Sequence, residues 1–252
     1  MKTLNPPQPS VVREGVRLPP LIRGGGEGLC FFVTGTDTDV GKTLISCALL
    51  HSFATQGKHV IGMKPVAAGC DESGKYEDVE RLMLASNVQA EDSLINSYRF
   101  ASAIAPHLAA QQENVVIDLQ RIADSFAALQ ELADVVIVEG AGGFVVPLND
   151  DEDSADLALR LGLPVVLVVG MRLGCLNHAL LTAQAIAARG LTLAGWVANC
   201  ADEHMAMRDE NIAVLRQRIS APLLGIVPYQ ARPDARLVAA HLNMTRLNNP
   251  NN

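Results

Sequence analysis

A glycine-rich segment between an apolar strand pattern and a helical pattern carries the residues best suited to chemistry. It runs Gly35-Thr-Asp-Thr-Asp-Val-Gly-Lys-Thr43. Its glycines allow a tight turn whose N–H groups face an anion, and the next helix start adds a favourable dipole. Lys42 can reach terminal phosphates, and the Thr43 hydroxyl can bind Mg²⁺. The segment predicts a nucleotide-phosphate loop, one residue longer than the usual spacing. The alternative is a glycine-rich turn with a chance lysine.

A carboxylate closes a second apolar run. Asp134 is followed by four apolar residues, 135–138, then by Glu139 and by Gly140-Ala-Gly-Gly143. A buried strand that ends in an acid can present that acid to Mg²⁺, and the glycines allow backbone to pass close to phosphates. Alone, such an acid is usually a solvated loop residue. Beside the first motif, it predicts a metal ligand.

Two further charged residues are weaker candidates. Lys64 lies at the end of the second strand pattern of the chain, within Gly62-Met-Lys-Pro-Val-Ala67. A cation there can stabilise the charge of phosphoryl transfer. Its alternative is an ordinary exposed lysine. Asp78 lies at a helix start, where an acid normally caps the helix or complements its dipole.

Three polar features follow strands later in the chain. The segment Gly170–His178 turns from strand to helix, so free amides near Cys175 and Leu176, beside Asn177, can hold an anion; the alternative is an ordinary turn. Asn199 ends a strand pattern, and its amide can both donate to and accept from a purine edge. The acidic run 150–153 reads as a solvated loop.

Short β-branched runs alternate with longer helical patterns along the chain. Continuous apolar strands separated by helices predict an α/β fold: a P-loop NTPase-like, mostly parallel sheet with helices on both faces. Ligands of such sheets bind at the carboxyl ends of the strands. Strands are predicted over 29–34, 59–63, 134–139, 164–170, 193–199 and 223–227, and helices over 44–56, 77–86, 118–132, 176–189 and 205–219.

Composition sets broader limits. The 252 residues are 49% hydrophobic, and the net charge of −7 argues against a basic nucleic-acid-binding surface. Five cysteines without a C-x-x-C pair indicate free thiols in a reducing cytoplasm, and no apolar run is long enough for a membrane span. We predict a flexible, Pro- and Gly-rich extension over 1–28, a single domain over 29–245 and a tail over 246–252.

Taken together, the motifs resemble those of the dethiobiotin synthase family. The resemblance covers about Leu29 to Gln230. It rests on five segments: Val33–Thr43, Gly62–Ala67, Val138–Gly143, Gly174–Gln184 and Gly195–Asn199. The first alone is moderately specific, and the set in this order is highly specific.

The resemblance implies an ATP- and Mg²⁺-dependent ligase of biotin biosynthesis. Carbon dioxide adds to an amine of 7,8-diaminopelargonate, ATP phosphorylates the resulting carbamate, and the second amine closes the ureido ring. Phosphate is the better leaving group, and tethering gives the second amine a high effective concentration. The resemblance also implies a homodimer with the substrate site across its interface, and no nucleic-acid or membrane partner.

The same resemblance assigns roles by position. Lys64 and Lys42 would be catalytic, and Thr43, Asp78 and Glu139 would hold Mg²⁺. The substrate would contact Thr38, Lys42, Lys64, Ala68 and, from the partner subunit, Cys175, Leu176 and Asn177. The nucleotide would contact Asp39, Val40, Gly41, Lys42, Thr43, Leu44, Asp78, Glu139, Gly140, Ala141, Gly142, Asn199, Cys200, Pro228, Tyr229 and Gln230.

One departure and three rival interpretations accompany this assignment. Ala68 stands where the family usually has Ser or Thr, so a substrate hydrogen bond is missing. A partition-type ATPase switch shares the fold, but has a lysine where this chain has Asp37. An enzyme that amidates a large cofactor precursor would need a glutamine-hydrolysing domain, for which too few residues follow Gln230. A diverged copy acting on another diamine is the third.

Overall fold

A computed structural model describes residues 29–248, and the predicted extension over 1–28 and the end of the predicted tail, 249–252, lie outside the described residues. Eight strands and ten helices follow one another in this part of the chain. The strands are β1 Phe31–Gly35, β2 Val60–Met63, β3 Val66–Ala68, β4 Tyr98–Phe100, β5 Val135–Glu139, β6 Val165–Gly170, β7 Leu193–Asn199 and β8 Leu223–Val227. The helices are α1 Lys42–Ala54, α2 Glu77–Ala85, α3 Asp92–Ile95, α4 Pro106–Gln112, α5 Leu119–Gln130, α6 Ser154–Leu161, α7 Cys175–Ala188, α8 Arg208–Arg218, α9 Ala235–Ala239 and α10 Met244–Asn248.

Six of the strands form one sheet in the order β2-β5-β1-β6-β7-β8. Every neighbouring pair is parallel, with β1 between β5 and β6. All residues of β1, β2, β5 and β6 are buried, as expected of parallel strands covered on both faces. This confirms the predicted parallel α/β architecture.

The two faces of the sheet pack into separate hydrophobic clusters. On β1, Phe32 faces one cluster with residues of α5 and α6, whereas Phe31 and Val33 face the other with residues of α1 and α2. This alternation follows from the two-residue period of a strand. Trp196 of β7 is fully buried in a third cluster with residues of α7 and α8. The strands are therefore held from both sides, and their carboxyl ends are fixed in position.

Some elements differ from the sequence-based prediction. The small parallel sheet of β3 and β4 was not predicted, because strands of three residues show no usable periodicity. Helices α3, α4, α6, α9 and α10 were also not predicted, and all are eight residues or shorter. Helix α8 begins at Arg208 rather than at 205, because Met207 has a left-handed φ of 53°.

The end of the described chain bears on the domain prediction. Helix α10 runs across residue 245, the predicted boundary between the domain and its tail, and Leu247 is buried against the core. The division into one domain and a tail stays a prediction. Within residues 29–248, no helix has both the length and the apolarity needed to cross a bilayer.

The acidic run 150–153 is only partly a solvated loop. Asp153 is the N-cap of α6 and accepts hydrogen bonds from the N–H groups of Ala155 and Asp156, while the Asp156 carboxylate accepts one from the Asp153 N–H. Arg189, the C-cap of α7, forms ion pairs with both carboxylates. The run therefore fixes the start of α6 and joins it to α7.

We predict that Asp153→Ala lowers the free energy of unfolding by about 1–2 kcal/mol, because it removes the cap of α6 and one partner of Arg189. Asp150→Ala is the matched control: it removes an exposed carboxylate of the same run and should change stability by less than ~0.5 kcal/mol. Urea unfolding of both variants measures the difference. Equal effects of the two substitutions would contradict the capping role.

Candidate functional site

A large open cleft lies where the carboxyl ends of the sheet strands meet. Its volume is about 1030 Å³. The walls come from the segments that follow β1, β2, β5, β7 and β8, so that residues far apart in the sequence share one space. This is the edge at which parallel α/β sheets bind ligands.

The glycine-rich segment forms one wall of the cleft and leads directly into α1. Gly41 has a φ of 92° and is the N-cap of that helix, a conformation that glycine adopts without strain. The Asn199 side-chain amide donates to the Val40 carbonyl over 2.8 Å, and a Cβ on Gly41 would lie 2.2 Å from the same amide nitrogen. The end of β7 thus pins the loop, and only glycine fits at the contact.

Lys42 is drawn back over this loop. Its ammonium donates to the Asp37 carbonyl over 2.9 Å, and the residue is only 7% exposed. Burial, with repulsion from the Lys64 ammonium, lowers the pKa of Lys42 to about 8. An anion bound inside the loop would offset both effects, so the position favours a phosphate ligand.

A cluster of three charged side chains and one hydroxyl lies at the base of the cleft, with Glu139 beneath the residues that line it. The Lys64 ammonium lies 2.6 Å from Glu139 Oε1, 3.2 Å from Asp78 Oδ2 and 3.1 Å from the Gly140 carbonyl oxygen. The Thr43 hydroxyl lies 2.8 Å from Asp78 Oδ1 and 2.9 Å from Glu139 Oε1. Lys64 directly follows β2, Glu139 ends β5, Asp78 lies on α2 and Thr43 lies at the start of α1.

The charges of this cluster hold one another in their ionised forms. Burial alone would lower the pKa of Lys64, but the carboxylates of Glu139 and Asp78 outweigh it and raise that pKa. Burial alone would likewise raise the pKa of Asp78, but the Lys64 ammonium and the Thr43 hydrogen bond outweigh it and lower that pKa. The lysine is therefore protonated and the aspartate ionised at neutral pH.

The oxygen atoms of the cluster fit a divalent cation. Two carboxylate oxygens approach the Thr43 hydroxyl, which has a single proton and can donate to only one of them. Glu139 Oε2 is buried without a hydrogen-bond partner. Hydroxyl and carboxylate oxygens are ligands that Mg²⁺ prefers. No group of three or more His, Cys, Asp or Glu side chains suited to a metal occurs within residues 29–248, so this mixed set is the candidate site.

Most of the predicted site residues meet in the cleft. The exceptions on the phosphate side are Val40, which is 1% exposed, and Glu139 with Gly140, which lie beneath the floor. The predicted residues that line the cleft are Thr38, Asp39, Gly41, Lys42, Thr43, Leu44, Lys64, Ala68, Asp78, Ala141, Gly142, Asn199, Cys200, Pro228, Tyr229 and Gln230.

The predicted partner-subunit residues lie elsewhere. Cys175 is 2% exposed and packs with Met171 and Trp196, while Leu176 lies partly against the same cluster. Asn177 is exposed on the first turn of α7. None of the three lines the cleft of its own chain. Their proposed contact with a substrate concerns a second subunit and stays a prediction.

Several cleft residues were not identified from the sequence. Tyr76, Glu77 and Arg81 flank Asp78 on α2, where the helical spacing from Asp78 was an available signal. Ile104 and Pro106 belong to the segment around β4 for which no element was predicted. Arg172 forms an ion pair with Asp37 of the loop. This contact joins distant segments, so no local sequence pattern predicts it.

Comparison with solved structures identifies the fold. The septum site-determining protein MinD from Pyrococcus horikoshii matches with a TM-score of 0.57 and 14% identity, covering 86% of this chain and 88% of that one. A ParA family ATPase from Chlorobium tepidum matches with a TM-score of 0.53 and 16% identity, covering 88% and 97%. Identities this low concern the fold alone, and they confirm the P-loop NTPase-like prediction.

Sequence comparisons are more specific. A family model described as an AAA domain matches residues 30–235. The ATP-dependent dethiobiotin synthetase of Nitrosospira multiformis is 56% identical over 222 residues, which are 88% of this chain and 98% of the relative. That of Aromatoleum aromaticum is 54% identical over 221 residues, 86% and 98% of the two chains. With the cleft geometry, these matches show that the chain belongs to the ATP-dependent dethiobiotin synthetase family.

Proposed function

We infer that this chain catalyses the ATP-dependent formation of dethiobiotin, a ligase step of biotin synthesis. The observation that carries the inference is the 56% identity to a dethiobiotin synthetase over 98% of that relative's length. The cleft supports it independently, since a phosphate loop, two buried lysines and two carboxylates converge at the carboxyl edge of the sheet.

We propose that the nucleotide lies along the glycine-rich loop. Gly41, Lys42, Thr43 and Leu44 would surround its phosphates with N–H groups and one ammonium, at the start of α1. The base would lie near Asn199, Cys200 and the segment Pro228–Gln230, which line the same cleft. The Asn199 amide nitrogen is engaged by Val40, so its amide oxygen is the group left to accept from an exocyclic amine.

Thr43, Asp78 and Glu139 would hold Mg²⁺. This proposal is supported by the unpartnered Glu139 Oε2 and by the two carboxylates that share one hydroxyl. When bound, the ion would neutralise charge on the terminal phosphates. All three side chains come from elements packed on the core, so these ligands themselves are held close together before the ion binds.

The two buried lysines suit the chemistry of the proposed carbamate. Transfer of the γ-phosphoryl group brings an anionic carbamate oxygen up to an anionic phosphate, and the repulsion must be neutralised. Lys42 would hold the transferring phosphate, and Lys64 would hold the carbamate on the opposite side. The mixed anhydride then reacts with the neighbouring amine. That amine loses a proton, the ureido ring closes, and phosphate leaves with the bridging oxygen.

The rest of the proposed substrate site includes residues of two subunits. Thr38 and Ala68 line the cleft near the lysines and would face the diamine. We propose a homodimer in which the start of α7, at Cys175, Leu176 and Asn177, holds the substrate carboxylate of the partner subunit. The five cysteines, all within the described residues, are unpaired, which supports our assignment to a reducing cytoplasm.

The rival interpretations differ at identifiable residues. The fold is shared with partition-type ATPases, but Asp37 is an acid paired with Arg172 and offers no cation to a nucleotide. A diverged enzyme acting on another diamine would differ near Ala68, where a methyl group replaces the usual hydroxyl. Turnover on defined substrates separates these alternatives.

The proposed function is tested with 7,8-diaminopelargonate, Mg-ATP and labelled bicarbonate, by counting label in acid-stable product. Label should be trapped only when both diamine and ATP are present. Lys42→Ala should reduce the rate by roughly 10²–10³-fold or more, because it removes a cation from the charged transition state. Lys58→Ala, an exposed lysine outside the cleft, is the control. Trapping that persists in Lys42→Ala, or none in the wild type, would contradict the proposal.

The magnesium assignment makes a separate prediction. Asp78→Asn should raise the Mg²⁺ concentration needed for half-maximal turnover about tenfold or more, since one anionic ligand becomes neutral. Glu80→Gln removes an exposed carboxylate of the same helix that pairs with Lys75, and should leave the Mg²⁺ requirement unchanged. Magnesium titrations at saturating ATP make the comparison. An unchanged requirement in Asp78→Asn would remove Asp78 from the ligand set.

Replacing Ala68 by a residue with a hydroxyl should increase the affinity for the diamine. Ala68 lies at the end of β3, is partly exposed and faces the cleft. Ala68→Ser should lower the KM for the diamine about two- to tenfold, the range expected for one added hydrogen bond. The KM for ATP, measured in the same assays, should not change. A diamine KM that stays equal or rises would show that the site does not use a hydroxyl there.

A further inference from the structure

The Lys64 ammonium occupies the centre of the oxygen cluster that we assign to magnesium. It donates hydrogen bonds to Glu139 Oε1 over 2.6 Å and to the Gly140 carbonyl over 3.1 Å, and it forms an ion pair with Asp78 Oδ2 at 3.2 Å. An ammonium has only three donors, so these contacts occupy most of its bonding capacity. Lys64 therefore already serves these carboxylates as their cation.

Because Lys64 and Glu139 are both buried, each depends on the other for its counter-charge. Glu139 is 0% exposed and Lys64 is 4% exposed, so neither charge can turn to bulk water without a change of conformation. A buried carboxylate without a counter-charge is strongly unfavourable. Whatever cation balances Glu139 must lie within this small space.

A second cation cannot join the first at such distances. A metal bound to the oxygens of Glu139 and Asp78 would lie within a few ångströms of an ammonium that touches the same two groups, and like charges repel strongly where water is excluded. The two cations would also share the Glu139 carboxylate, whose Oε1 already accepts from Lys64 and Thr43 and whose Oε2 alone has no partner. Metal binding and the present position of Lys64 are therefore in competition.

We propose that Lys64 and Mg²⁺ exchange at this cluster. When the metal binds, the Lys64 ammonium turns away from Glu139 and Asp78 and into the cleft, where it contacts phosphate and carbamate oxygens. The proposal rests on the magnesium site of the proposed function. It predicts an order of binding, because a metal without nucleotide must displace an ammonium that holds two hydrogen bonds and an ion pair. A nucleotide supplies anionic oxygens to both cations, so metal and triphosphate bind together and Lys64 reaches the substrate side only afterwards.

Lys64→Met tests the exchange, because it keeps the length of the side chain and removes the competing charge. The probe is Mn²⁺ alone, without nucleotide, with the free ion measured by electron paramagnetic resonance. Lys64→Met should bind Mn²⁺ about tenfold or more tightly than the wild type. Its melting temperature should also rise with added Mn²⁺, since the metal then balances Glu139. Lys58→Met, which loses an exposed lysine outside the cleft, should match the wild type in both measurements.

A second measurement uses the unaltered chain and does not depend on the variant folding. Lysine acylation mapped by mass spectrometry reports the exposure of each ammonium. Saturating Mn²⁺ should raise the labelling rate of Lys64 several-fold relative to that of Lys58. Unchanged labelling of Lys64 in a chain that has bound Mn²⁺, or equal Mn²⁺ affinity in folded Lys64→Met and wild type, would overturn the exchange.

Failure of the exchange differs from failure of the magnesium site itself. The same resonance assay, run on the wild type with ADP, measures nucleotide-dependent metal binding. Absence of Mn²⁺ binding even with ADP would reject the magnesium site of the proposed function. Normal binding with ADP, together with no effect of Lys64→Met, would keep that site and reject only the exchange.

Discussion

The buried carboxylate of Glu139 is the constraint on which the site depends. It ends an entirely buried strand and has no access to water, so it must be balanced by a cation inside the protein. Lys64, directly after strand β2, supplies that charge. Thr43 of α1 also contacts Glu139, and Asp78 of α2 contacts both Thr43 and Lys64. The packing of the sheet and its helices is thereby tied to one set of charges. Burying these charges carries a desolvation penalty, so the cluster contributes little to stability. Its use lies in holding functional groups at fixed distances.

The sequence was informative wherever a local pattern determined the outcome. Long apolar runs predicted the six strands of the main sheet, and the rule that ligands bind at carboxyl edges placed Lys42, Lys64 and Glu139 at one edge of it. Contacts between distant segments were not predictable. Asn199 looked like a base-binding amide, yet its nitrogen holds the loop at Val40. Asp153 looked solvated, yet it caps α6 because Arg189 and the helix amides lie beside it. The small sheet of β3 and β4 also lacked a signal, since its strands are too short for periodicity.

The fold and the chemistry are separable in this molecule. Its fold is shared with a MinD protein and a ParA family ATPase at 14% and 16% identity, whereas its sequence is 56% identical to that of a dethiobiotin synthetase. Single positions within the common frame carry the difference. In the loop, Asp37 forms an ion pair with Arg172, so this position stabilises the loop and contributes no positive charge to it. Directly after β2, Lys64 adds a second buried cation, which we propose contacts the carbamate. A phosphate-binding frame can thus serve a ligase once a second lysine faces the transferred group.

The most direct test of the account follows the oxygen atoms of the carboxylating agent. A single turnover with ¹⁸O-labelled carbon dioxide, diaminopelargonate and Mg-ATP would be analysed by mass spectrometry of the released phosphate. If ATP phosphorylates a carbamate that lies between Lys64 and the terminal phosphate, the oxygen bridging carbon and phosphorus leaves with the phosphate. The account predicts one labelled oxygen in each phosphate released. Phosphate without label, formed together with dethiobiotin, would contradict the carbamic–phosphoric anhydride and the role of the two lysines in forming it.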